Sequence, residues 1–474
     1  MSKILTPDIC VIGAGSGGLT VAAAASSFGV DVVLIEKGKM GGDCLNYGCV
    51  PSKALISAAK HAHAMQDGAD FGITSGAADI DYKKVHDHVH DVIAQIAPHD
   101  SVERFESLGV KVIQAAGRFT DRDTVSAGDY EIKARRFVIA TGSAPAILPI
   151  DGLSDVPFFT NETIFANEEK LDHLIIIGGG PIGMELAQAH VRLGAKVTLI
   201  EAFKVLGRDD PEMAKIVIDQ IRDDGVEIIE GAPVSSLEKN ESGIVVHMKG
   251  DQGEQTVTGS HLLVAAGRSV NVDGLGLEAA GVSFTGKGIE TDKGLRTTNR
   301  RVYAVGDVAG GPQFTHWAGY QAGLVLRSIL FRLPISENRD LLPWVTYTTP
   351  ELAHCGLTEE DARKRHGTVK SLTWSFAEND RAQADRQTKG MIKVVLAKNG
   401  RILGADIVGH NAGELISMWS LAISQKMKIR AMTGFVAPYP TYSEISRRVA
   451  VSNYSDSTKN PLVRAVIRFL RRFG

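Results

Sequence analysis

Two cysteines five positions apart, Cys44 and Cys49, lie within the run Gly41-Gly-Asp-Cys44-Leu-Asn-Tyr-Gly-Cys49-Val-Pro-Ser-Lys53. A helix beginning here would set its positive end, with Lys53 one turn on, beside a thiolate. Such a pair can cycle between disulfide and dithiol and so carry two electrons, the alternative being two packed free thiols. A zinc site would want two further ligands at metal spacing; none is nearby, so no bound metal is expected. Cys10 and Cys355 sit in apolar strand contexts and read as inert core residues.

A thiol pair that carries electrons needs a source of them. Residues Asp8 to Glu36 read as strand, glycine turn, helix and strand: an apolar run Ile9 to Ile12, then GAGSGG, an alanine-rich helix and VVLIE. Residues His173 to Glu201 repeat the order with LIIIGGGPIG, MELAQAHVRLG and KVTLIE. Each fingerprint (Gly13, Gly15 and Gly18; Gly178, Gly180 and Gly183) would turn helix N-terminal amides toward a pyrophosphate. Each unit also ends on an acid, Glu36 or Glu201, suited to a ribose diol. A 2′-phosphate would meet like charge at Glu201, so NADH is favoured over NADPH, with Lys204 and Arg208 downstream acting against that preference.

Further hydrophobic strands end on glycine where an open parallel sheet binds ligands. They are Phe137-Val-Ile-Ala-Thr141-Gly142-Ser, Leu262-Leu-Val-Ala-Ala-Gly267-Arg and Val302-Tyr-Ala-Val-Gly-Asp307-Val. Gly117 is placed on the cofactor side with them. A polar helix is expected around Asp81 to Leu108. From Leu342 the pattern changes to strands of period two (Gly390 to Val395, Leu403 to Val408) and a long helix from Gly413, a separate α+β module.

The composition agrees with an enzyme of this kind. The chain has 474 residues, 44% hydrophobic and 23% charged, which excludes a disordered or fibrous protein. At roughly 150 residues per domain, that length suggests about three domains. A net charge of −3 argues against a nucleic-acid partner. No apolar run approaches the ~20 residues of a membrane span. Met1 to Asp8 lacks the regions of a signal peptide, and 4 cysteines do not make a secreted disulfide framework, so a cytoplasmic enzyme is expected.

GGDCLNYGCVPSK, with CVIGAGSGG upstream and ATGS, GGGPIGMELA and VYAVGDVAG downstream, resembles the FAD-dependent pyridine nucleotide–disulfide oxidoreductases. That family includes dihydrolipoamide dehydrogenase, glutathione reductase and mercuric reductase. The resemblance runs from Ile9 to about Glu444 and implies an α/β, glutathione-reductase-type homodimer. Its parts would be two Rossmann-like dinucleotide-binding domains and a C-terminal α+β dimerisation domain. The expected boundaries are 1–149 and 274–341 for FAD, 150–273 for NAD(P)H, 342–454 for the interface and 455–474 for a tail. The resemblance further implies that Cys49 is the flavin-proximal thiolate and Cys44 the interchange thiol. Lys53 and Glu185 would pair beside the flavin, Asp307 would bind the ribityl chain, and Thr315 and His316 would approach the flavin ring. Gly267 would face the nicotinamide nucleotide. Hydride would pass to the flavin, two electrons to Cys44–Cys49, and then to an acceptor.

One segment departs from the pattern. Disulfide reductases of the family deliver a His-Pro-Thr-x-x-Glu segment to the other subunit's cysteines, the His acting as acid–base. Here the stretch is Tyr439-Pro-Thr-Tyr-Ser-Glu444. A phenol near ~10 is a poor base at neutral pH, whereas an imidazole near ~6.5 suits the task. Mercuric reductases also carry Tyr here, but they normally have a C-terminal cysteine pair, and no Cys follows Cys355. The expected acceptor is therefore a small molecule such as a thiol-reactive metal ion, or a quinone reduced at the flavin. Two alternatives stay open: a dihydrolipoamide dehydrogenase with another proton source, and a membrane-associated flavoprotein diaphorase or redox sensor.

Two patterns stand outside this chemistry. His86, His88 and His90 suggest a metal tract, but on a helix only His86 and His90 share a face, and a solvated surface is expected. From Asn460 onward, Leu462, Val463, Val466, Ile467, Leu470 and Phe473 fall at helical spacing. Arg464, Arg468, Arg471 and Arg472 lie between them, and no acid follows Asp456. That helix either docks on the protein's own body or lies on an anionic membrane, on its inner face.

Overall fold

In the computed structural model, residues 3–74, 76, 78–250 and 253–473 are described. They form two compact units, 1–202 with 227–337, and 203–226 with 338–474.

The first unit holds both parallel sheets. One is five-stranded, ordered Val302–Ala304, Arg136–Ile139, Ile9–Ile12, Val32–Glu36 and Lys111–Gln114, all parallel. Ile9–Ile12 is wholly buried, as a strand covered on both faces must be. Order along the sheet reverses beside Ile9–Ile12, so the Gly13 loop leaves at the switch point where open sheets take ligands. The second sheet runs Glu227–Glu230, Lys196–Glu201, His173–Ile177 and His261–Val264, also parallel.

The polar stretch expected as one helix is broken. Helix Tyr82–Ile96 is capped by Asp81, a turn at Ala97–Asp100 carries Pro98, and Ser101 caps a separate helix Val102–Ser107. Proline lacks the amide that the continuing ladder needs. His86 and His90 stack at 4.0 Å on the first helix. His86 is half-buried beside Glu168, not fully solvated as expected, while His88 and His90 are exposed.

The second unit is built on an antiparallel five-stranded sheet, Pro343–Thr346, Glu351–Gly356, Ile402–Gly409, Met391–Ala397 and Val369–Ser375. Helix Ala412–Ser424 buries Ile416 and Trp419 in its core. Segment 203–226, inside the span expected for the second nucleotide domain, belongs to this unit. Its helix Pro211–Asp223 is tied there by Lys393 to Asp210 at 2.8 Å and by the Trp344 indole N–H to Asp209 at 2.8 Å. Among the described residues no helix is long and apolar enough to cross a membrane.

Candidate active site

The two glycine fingerprints close in the same way. At Gly13 a Cβ would collide with the carbonyl oxygen of Ala140, and at Gly178 with that of Ala265. A Cβ on Gly18 would meet the carbonyl of Gly13, and one on Gly183 that of Gly178. These glycines pack helix on strand. The middle ones, Gly15 and Gly180, face open space at the start of helices Ser16–Ser27 and Pro181–Arg192. There a pyrophosphate can approach bare backbone amides. Glu36 accepts the Ala14 and Gly38 N–H groups, each at 2.6 Å, and Glu201 accepts that of Gly179 at 2.7 Å. Each acid thus stands at its glycine loop, and the residues fit a dinucleotide in both cradles.

Cys44 lies in the short helix Gly42–Asn46, and Cys49 is the first residue of helix Cys49–Asp67. Their loop is seated on the first fingerprint: the Gly41 amide donates to the Ala14 carbonyl at 3.0 Å. A Cβ on Gly42 would come within 2.8 Å of the Gly15 Cα. Both sulfurs are free thiols in this structure. The Cys49 sulfur lies 3.4 Å from the Thr315 hydroxyl, at the first residue of helix Thr315–Phe331. Two helix N-termini therefore converge on one sulfur.

The electrostatics follow. The Cys44 S–H donates to Cys49 and brings the Cys49 thiol down to about 6, against the opposing cost of burial and with help from Thr315 and Lys53. The same bond, with burial, drives Cys44 upward. The pair therefore holds one thiolate and one thiol at neutral pH. Lys53 Nζ donates to the Glu185 carboxylate at 2.7 Å, joining two helices, with Glu185 buried.

Sequence reading missed a brace around this loop. Arg268, next to Gly267, reaches Asp43 at 3.2 Å and donates to the Ser143 hydroxyl at 2.7 Å. Ser143 donates to Asp307 at 2.5 Å, and Asn161 donates to Asp43 at 3.3 Å and to the Tyr47 carbonyl at 3.1 Å. Burial raises Asp307, whose partners Ser143 and Arg268 oppose the shift. Thr141 donates to the Asn271 carbonyl at 2.8 Å, while Gly142 and Gly267 face open space. At Gly117 a Cβ would meet Ile35 and Ile12 at 3.2–3.3 Å.

Tyr439 and Glu444 belong to the second unit. Tyr439 is 69% exposed, and its hydroxyl donates to Asp380 at 2.9 Å, which raises the phenol above its ordinary value of 10.0. Glu444 opens helix Glu444–Ser452. Cys10 and Cys355 are buried, and burial raises both thiols.

Two dinucleotide cradles and a dithiol at a helix N-terminus define a nucleotide-dependent redox enzyme. Residues 7–322 match the family model for pyridine nucleotide-disulphide oxidoreductases, and residues 342–450 match that family's dimerisation domain. The chain belongs to this family, whose members are FAD-dependent enzymes that use NAD(P)H. It is 32% identical over 460 residues to a mercuric reductase of Streptomyces lividans, covering 95% of this chain and 97% of that one. It is 34% identical over 453 residues to a dihydrolipoyl dehydrogenase of Geobacillus stearothermophilus, covering 94% and 95%. Among solved structures it resembles the Cu(II) complex of the HOCl-induced flavoprotein disulfide reductase RclA from Escherichia coli. That match has TM-score 0.83 and 26% identity, over 93% of this chain and 99% of that one. The fold is glutathione-reductase-type, as the motifs imply.

Proposed function

We propose that this enzyme passes electrons from NADH to a thiol-reactive metal ion through the Cys44–Cys49 pair. When bound on the Gly13 cradle, FAD supplies the two-electron link between the nicotinamide nucleotide and the sulfurs. Gly13, Gly15, Gly18, Glu36 and Asp307 would hold it, with Thr315 at the sulfur. Gly178, Gly180, Gly183 and Gly267 would hold the nicotinamide nucleotide, and Glu201 selects NADH by repelling a 2′-phosphate. Lys53 forms a charge pair with the buried Glu185 and would stand beside the flavin.

The observation that carries the choice of acceptor is Tyr439, whose hydroxyl is held protonated by Asp380. The family delivers this position to the other subunit's thiols, where a disulfide substrate needs a base. A phenol raised further above 10.0 does not serve as one at neutral pH. A metal ion needs no base, because binding a thiolate displaces the thiol proton to solvent. Cys49 already offers a thiolate, and Cys44 gives up its proton on coordination. The pair then becomes a disulfide, the one proton held by Cys44 leaves, and the electron pair reduces either one divalent ion to the metal or two Cu(II) to Cu(I). The names of two similar proteins, a mercuric reductase and a Cu(II)-complexed disulfide reductase, support this acceptor class.

A steady-state panel of NADH oxidation with Hg(II), Cu(II), lipoamide, glutathione disulfide and quinones tests the reading. Metal ions are expected to be the best acceptors, with activity lost in Cys44→Ser. Turnover of lipoamide or glutathione disulfide at ~10² s⁻¹ or faster, within the usual enzyme range, would overturn it. Quinone turnover that survives Cys44→Ser would assign the activity to the flavin alone.

A further inference from the structure

The C-terminal segment carries no cysteine, yet its helix has a defined start. The Asn460 side chain accepts the Leu462 N–H at 2.9 Å, and Pro461 opens helix Pro461–Leu470. That is the cap-then-proline pattern that starts a helix without tertiary help. At 100° per residue, Leu462, Val466 and Leu470 centre an apolar arc of about 160°. Arg464, Arg468, Arg471 and Arg472 fill the opposite arc and come up to both of its edges.

Among the described residues nothing covers the apolar arc: every one from 461 on is exposed, with Leu462 at 77% and Phe473 at 73%. Docking on the protein's own body, one of the two options left by the sequence, is therefore not what the structure has. Phe469 and Phe473 pack edge to face at 5.1 Å, extending the arc beyond the last helical turn.

We infer that this helix lies in the surface of an anionic lipid bilayer and holds the enzyme there. Charge chooses the occupant. Lys459 and the four arginines give five cations with no acid after Asp456, on a chain whose net charge is −3. A second copy would bring the same cations to the interface, and the match to the dimerisation domain stops at residue 450. Arginines at the edges of an apolar arc can keep their guanidinium groups at phosphate level while the arc sinks below it. The inference is independent of which acceptor the thiols reduce.

The test is co-sedimentation of the flavin-loaded enzyme with vesicles of phosphatidylcholine alone and of phosphatidylcholine mixed with phosphatidylglycerol. Partition should be at least ~10-fold stronger onto the anionic vesicles and should weaken as salt rises. Ile467→Glu with Leu470→Glu should abolish it while flavin content and NADH oxidation with a soluble acceptor stay at wild-type levels. Phe469→Trp supplies a second readout, a blue shift of tryptophan emission on adding anionic vesicles. Equal partition onto both vesicles, no partition, or partition that survives the double substitution would overturn the inference. So would a wild type that ignores vesicles but loses oligomeric mass in the double variant, which would give the face to a second copy.

Discussion

Replacing Cys44 by alanine removes the thiol that contributes most to the low value of Cys49. In the dithiol, Cys49 sits at about 6 against an ordinary 9.0. A thiol at ~6 is ~90% thiolate at neutral pH, and one at ~9 is ~1%. Without the Cys44 donor, burial still acts upward, while Thr315 and Lys53 still act downward. The Cys49 midpoint should therefore rise by at least ~1 unit. The assay is alkylation of Cys49 in the reduced protein across pH, followed by peptide mass spectrometry. The midpoint is the readout, because intrinsic nucleophilicity increases as the pKa increases and masks part of the change in rate. Cys44→Ser keeps a hydroxyl donor and should fall between wild type and Cys44→Ala. A Cys44→Ala midpoint still near that of wild type would refute the inter-thiol hydrogen bond as the cause.

Three further outcomes follow from the geometry. Gly15→Ala should fold with near-native stability, since a Cβ there meets no protein atom, yet bind FAD at least ~10-fold more weakly. Gly18→Ala, whose Cβ would strike the Gly13 carbonyl, should instead lower the melting temperature, and differential scanning calorimetry with flavin absorbance separates the two. Tyr439→His should raise lipoamide turnover by ~10²-fold, and a rate left unchanged would favour a dihydrolipoamide dehydrogenase with another proton source. Burial disfavours a charged His354, but Asp406, whose carboxylate lies 2.6 Å from it, overcomes this and raises His354 above 6.5. That stabilisation is full below 6.5 and is lost as pH rises through the raised value. The stability advantage of wild type over His354→Gln in urea unfolding should therefore be larger below 6.5 and shrink as pH rises through the raised value.

The strands Ile9–Ile12 and Val32–Glu36 were legible to the residue, because a buried parallel strand is a continuous apolar run and glycine marks its end. The break near Pro98 was signalled too, but weakly, since the polar periodicity continues across it. The Lys53–Glu185 pairing was expected only through resemblance: no local pattern joins side chains 132 positions apart. Arg268 shows the limit more sharply. Its motif was visible, but its reach to Asp43 depends on how two loops meet in space. The apolar period of the tail was plain, whereas its exposure depends on what the rest of the chain leaves uncovered.

The two cradles are near-duplicates down to which carbonyl each glycine would strike and where each acid accepts its amide. A protein that used those loops alone could not tell its flavin from its hydride donor. Discrimination has to be written in the surroundings, where one cradle carries the sulfurs on its rim and the other does not. Exchanging one fingerprint for the other would then leave each nucleotide at its own address.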